Sequence, residues 1–147
     1  MFHRAEFKLI RQALLVLLAS AALSQTAEAT PAGSVVFATG DVSATSADGQ
    51  VRRLQRGGEI AVGDTIVTGA DGRAQVRFTD GAFSSFQPET RFRVDQYQYA
   101  GKVDGSEKSF FSLLKGALRT VTGVIGHANK KNYQVATPTA TIGIRGT

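Results

Sequence analysis

The chain has no cysteine, two histidines and three prolines among its 147 residues. Without cysteine there is no thiol catalysis, no thiolate zinc site, no disulfide and no lipid attachment at an N-terminal cysteine. A domain of this kind has to rest on one well-formed apolar core. Scarce histidine narrows the chemistry further. His3 falls in the opening segment, so His127 is the one imidazole left for a folded domain. It sits in the polar stretch GHANKKN, which reads as an exposed loop. A Ser-His-Asp triad needs an imidazole packed between two partners, and a protein zinc site needs at least three ligands, so neither is served here. No glycine-rich loop runs into a Lys-Ser or Lys-Thr step, so nucleotide binding has no support. No cofactor and no metal are expected.

Long apolar runs are also missing, with one short exception. Arg4, Lys8 and Arg11 precede Ala13–Leu23, an apolar and small-residue run of 11 residues, and Ala27-Glu28-Ala29 follows. A basic start, a short apolar stretch and small residues at the cut make a secretory signal peptide over 1–29. The run falls short of the ~20 residues that span a bilayer, and no later segment does better. The leader holds three of the 17 basic and two of the 12 acidic residues, so residues 30–147 carry a net +4. That excess suits weak attraction to anionic surfaces and is too dispersed for nucleic acid.

What the chain does have is glycine, 16 in all. Glycine and Asp-Gly steps recur between short segments rich in Val, Ile, Thr, Phe and Tyr, which is the pattern of strands and turns. Strands are expected at 35–38, 42–45, 51–54, 65–68, 74–79, 82–87, 90–99, 108–114, 118–124, 133–137 and 141–144. Ala74, Val76 and Phe78 share one face, as do Phe92 and Val94. Tyr97 and Tyr99 then fall on the opposite parity, which indicates a bulge near Asp95–Gln96. SFFSLLKGALRTVTGVIG, residues 109–126, reads as two strands broken at Gly116. The fold class is all-β: short antiparallel strands forming a sandwich, a roll or a short β-helix. GDVSATSADG at 40–49 and GDTIVTGADG at 63–72 echo each other 23 residues apart, as if one strand–turn unit were used twice.

The carboxylates of this pattern are better suited to turns than to chemistry. Calcium loops space Asp or Asn at alternate positions before a glycine, with a Glu six residues on. Asp64, Asp71 and Asp80 do not. Asp bonds nearby backbone and Gly accepts positive φ, so Asp48-Gly49, Asp71-Gly72, Asp80-Gly81 and Asp104-Gly105 read as turns. Glu59 and Glu89 are the candidates for a glycosidase pair, each in a polar stretch before a strand. Asn129-Lys130-Lys131-Asn132 reads as a solvated turn. Phe83, Phe86, Phe110 and Phe111 are assigned to the core.

In sequence order, Gly40-Asp41-Val42, GDTIVTGADGRAQVRFTDG at 63–81, PETRFRVD at 88–95, LLKGALRTV at 113–121 and TPTATIGIRGT at 137–147 resemble the FecR domain family. The family is named for the periplasmic ferric-citrate regulator, and the likeness runs from Val35 to Thr147. It implies an exported, strand-rich domain without catalytic activity. Gly63, Asp64, Gly69, Asp71, Gly72, Asp80, Gly81, Gly116, Thr137, Pro138, Gly143 and Gly146 are its structural motif positions. In the namesake such a domain senses an outer-membrane transporter and signals through a membrane helix to a sigma factor. Only 12 residues precede the apolar run, so the chain is closer to stand-alone exported relatives, and the sigma-factor role is not carried over. Relatives continue past the Arg-Gly-Thr motif, so residues 30–147 are expected to be a C-terminally truncated FecR-like domain.

These observations lead to a non-enzymatic binding module, periplasmic or extracellular, whose partner is an envelope protein or glycan. Strand edges, the Tyr97/Tyr99 face and Arg145 are its candidate contacts. An accessory sensor in a transport or sigma-factor system is the first alternative. A glycan hydrolase built on Glu59 or Glu89 is the last.

Overall fold

A computed structural model describes residues 30–138 and 141–143. The expected leader, and Arg145 and Gly146 of the closing motif, lie outside the described residues. The first strands are β1 (Pro31–Thr39), β2 (Val42–Thr45), β3 (Val51–Arg53), β4 (Glu59–Ala61), β5 (Thr65–Thr68) and β6 (Arg73–Phe78). Then come β7 (Phe83–Phe86), β8 (Arg91–Gln98), β9 (Lys108–Lys115), β10 (Leu118–Val121), a one-turn helix α1 (Val124–Ala128), a 3-10 turn at Lys130–Asn132, β11 (Tyr133–Ala136) and β12 (Thr141–Gly143).

They form two sheets, one ordered β10-β7-β6-β1-β4 and the other β12-β11-β9-β8-β5-β2-β3. Period-two patterning puts one apolar row of each strand inward. Val35, Val76, Phe78 and Phe86 of the first sheet meet Val42, Ile66, Phe92, Val94 and Phe111 of the second in a single core. Phe78 and Phe111 rings lie 4.9 Å apart across the layers, and so do Phe86 and Phe92. The all-β expectation is met, as a two-layer sandwich.

The repeated GD…ADG units provide β2 and β5, which pair antiparallel with Val42 opposite Thr68 and Thr45 opposite Thr65. Equivalent positions of the two copies are thus related by a local two-fold. Two bulges re-aim side chains. In β8, Val94 faces Phe111 and Gln96 faces Phe110, leaving Asp95 as the extra residue; Tyr97 is thereby turned to the core side. In β1, Val35 faces Val76 and Phe37 faces Gln75, leaving Val36 as the extra residue.

Three local expectations are corrected. The strand expected to Val124 ends at Val121, and α1 follows. Its first amides need acceptors, and Asp80 provides them: Val124 N donates to the Asp80 carbonyl at 3.0 Å and Ile125 N to Asp80 Oδ2 at 3.3 Å. Ile125, fully buried, anchors the turn. Second, β4 is absent from the expected strands, because Glu59 and Ala61 are poor strand formers and Gly57-Gly58 precedes them. Third, β11 runs parallel to β9. The chain leaves the second sheet for β10, passes through α1 and returns in the same direction, as a crossover permits.

Candidate interaction surface

The acidic motif residues serve the backbone. Asp80 is buried and accepts from Ala82 N at 3.1 Å, from Ile125 N, and from the Tyr97 hydroxyl at 3.0 Å. Its own amide donates back to the Tyr97 oxygen at 2.9 Å. Gly123 is required beside it, since a Cβ there would stand 2.7 Å from Asp80 Oδ2. Asp64, also buried, takes Ala61 N at 2.8 Å and the Arg52 guanidinium at 2.5 and 3.2 Å. Its hydrogen bond to Arg52 raises the pKa of the guanidinium. Asp71 receives the Asp41 amide, Asp48 binds Ser46, and Asp104 receives Ser106 N. The serine bonds lower the pKa of Asp48 and Asp104. Glu107 is buried with Oε2 on the amides of Asp104 and Gly105 at 3.1 and 2.7 Å.

Motif glycines sit where backbone comes close. Gly116 has φ +84°, and a Cβ would lie 2.5 Å from Thr90 Oγ1. Thr90 in turn receives Ala117 N and donates to Ala117 O, and Thr68 Oγ1 receives Thr90 N at 2.8 Å. Gly63 and Gly81 also have positive φ, at 89° and 86°. Gly69 and Gly72 pack against Asp41 in the facing turn. Thr137 and Pro138 follow β11, and Gly143 pairs with Gln134.

The two candidate tyrosines have different fates. The Tyr97 ring lies 5.6 Å from Phe78, and its hydroxyl is held by the Asp80 turn and Thr79. Burial pushes the Tyr97 hydroxyl pKa up. Tyr99, beyond the end of β8, lines a depression of about 420 Å³ with Tyr97, Pro31, Val62 and Gln98. A second depression, of about 820 Å³, is lined by Ser46, Arg52, Glu59 and Asp64 and shares Thr30 and Pro31 with the first. One end of the sandwich therefore carries a continuous concave strip, aromatic on one side and ionic on the other.

Other sequence candidates are dispersed. Glu59 neighbours Ser34, which faces Arg77. Glu89 lies two residues past Gln87, whose side chain binds Arg73. Arg73 to Arg77 alone spans about 14 Å, beyond the ~5–9.5 Å of glycosidase carboxyl pairs, so Glu59 and Glu89 stand at opposite ends. His127 is exposed, on α1 rather than in a loop. Phe86 and Phe111 are core, but Phe83 and Phe110 are only half-buried, with Phe83 on the outer face of the first sheet opposite Arg77 and Phe110 opposite Gln96. Among the described residues no three acidic or histidine side chains converge as a metal site, and no helix is long and apolar enough to cross a membrane.

The family model described as "FecR protein" matches residues 64–147. No curated protein matches the chain. A solved structure described as "Cell surface anchoring domain" aligns at 29% identity and a TM-score of 0.41, over 42% of this chain and 82% of that one.

Proposed function

We propose, from the premise that this chain belongs to the FecR family, that it is a non-enzymatic interaction module of the bacterial cell envelope. A cleaved leader over residues 1–29 exports it, and the domain over 30–147 works in the periplasm or at the cell surface. One observation carries the reading: Asp64, Asp80 and Glu107, the buried carboxylates among the described residues, each bind backbone amides of the chain itself. They hold turns in place. What is left to meet another molecule is the surface, and the concave strip between Tyr99 and Arg52 is suited to a protein or glycan of the envelope. An aromatic rim with an ionic flank supplies both apolar contact and orientation.

The test is retention. Purified full-length chain is mixed with washed envelope fragments and sedimented. Co-sedimentation is expected, weakened by Tyr99→Ser at unchanged melting temperature. Folded protein that stays in the supernatant at every envelope concentration overturns the reading.

A further inference from the structure

The outer face of the five-stranded sheet sets cations, small polar groups and apolar side chains in register. The register places Val121, Phe83, Arg77 and Ser34 in one row across β10, β7, β6 and β1. The next row is Arg119, Ser85, Gln75 and Phe37, and Thr39 faces Arg73 in the third. Phe37 is 45% exposed and Val121 56% exposed. Phe37 belongs here only because the bulge at Val36 reverses the alternation of β1. A depression of about 90 Å³ confirms the grouping, since Phe37, Arg73, Gln75, Ser85 and Gln87 line it together.

Three cations stand on this face, and the strands place no carboxylate between them. Arg73 is held by Gln87 Oε1 at 2.6 Å; Arg77 and Arg119 have no ion-pair partner among the described residues. Glu59 lies at the β4 margin beside Ser34. Asp71 and Asp41 are beyond the far end, and Asp71 is tied to the Asp41 amide. With strands about 4.8 Å apart and residues rising about 3.4 Å, the three arginine Cα atoms form a triangle of roughly 12–14 Å sides. Between them lie the Ser85 hydroxyl and the Gln75 amide, with Phe83 and Phe37 flanking the triangle.

We propose that this face binds an anionic polysaccharide, with Arg73, Arg77 and Arg119 meeting its repeated acidic groups, Ser85 and Gln75 its hydroxyls, and Phe37 and Phe83 the apolar faces of its sugar rings. Spaced cations on a flat sheet match charges repeated along a polymer. The polar groups between them would remain unmatched against a purely apolar partner. The envelope as the source of that polymer rests on the reading above; the three arginines lie outside the Tyr99 strip, which meets this face at Pro31 and Glu59.

The experiment uses the full chain, a uronic-acid polymer (polygalacturonate) as probe, neutral dextran as control, and phosphatidylglycerol vesicles as the competing anion. The chain is expected to bind polygalacturonate and not dextran, and salt should weaken binding by screening. The triple variant Arg73→Gln, Arg77→Gln, Arg119→Gln should weaken it about tenfold, and Phe37→Ser should weaken it with all charges retained. Lys108→Gln, on the other sheet, is the charge-matched control for one lost cation. Binding unchanged in the triple variant, binding to vesicles alone, or no polygalacturonate binding each overturns the proposal. If envelope fragments still retain the chain in any of those cases, the interaction-module reading survives and only this face is excluded.

Discussion

The Tyr97 hydroxyl and Asp80 are joined twice, through Oδ1 at 3.0 Å and through the Asp80 amide at 2.9 Å. This joint closes the sandwich, because Tyr97 belongs to the second sheet while Asp80 turns β6 into β7 in the first. The same carboxylate holds the start of α1. Asp80→Ala strips acceptors from several buried donors and is expected to cost roughly 3 kcal/mol, read from urea unfolding. Tyr97→Phe should cost about 1 kcal/mol. The double mutant should show a coupling of about 1 kcal/mol; strict additivity would mean that the two groups do not share one network.

Alkaline stability follows from the tyrosines. Burial raises the pKa of both Tyr97 and Tyr133 above the ordinary phenol value near 10. The fold therefore favours the neutral phenols. Their contribution is complete below about pH 10 and is lost as pH climbs through the raised folded-state values. Urea midpoints should hold between about pH 7 and 9 and drop above about 10. Tyr97→Phe should make that drop shallower.

Glycine positions separate conformational from steric need. Gly81 has φ +86° with open space around it, so Gly81→Ala should cost about 1 kcal/mol. Gly116 combines φ +84° with Thr90 Oγ1 and Glu89 O within 2.6 Å of any added Cβ. Gly116→Ala should cost about 3 kcal/mol or more. Equal melting temperatures for the two variants would contradict the close approach of Gly116 to Thr90.

Phenylalanines should divide by face. Phe111 packs against Phe78, Phe92 and Tyr133 at 4.9, 5.0 and 5.9 Å. Phe111→Ala should cost about 3–5 kcal/mol. Phe37→Ala, on the outer face, should fall within about 0.5 kcal/mol. A core-sized loss at Phe37 would show that it packs inward.

The contrast between Phe111 and Phe37 also marks how far sequence patterning reaches. Alternation identified the apolar rows of β6 and β8, and the parity break before Tyr97 located the bulge at Asp95. Gly116 marked the break between β9 and β10. The same parity logic places Phe37 beside Val35 in the core, and nothing local announces the extra residue at Val36. That bulge exists because β1 must match β6, a strand forty residues away. α1 was hidden for a similar reason: its amides are satisfied by Asp80, 45 residues earlier, while Thr120–Ile125 is rich in β-branched residues. Local propensity cannot register an acceptor supplied by a distant turn. At the candidate surface, the sequence marks the two tyrosines as a pair, and the contacts of Tyr97 with Phe78 and Asp80 show that it faces inward.

β1 lies between β6 and β4 in its sheet. Its hydrogen-bonding partners lie at 59–61 and 73–78, so the first strand of the domain waits for its first partner until Glu59 and for its second until Arg73–Phe78. Long-range pairing of this kind slows folding. A chain emerging stepwise, from a ribosome or across a membrane, keeps its leading strand extended and available to chaperones throughout that interval. The order of strands in the finished sheet thus sets a delay at the start of folding.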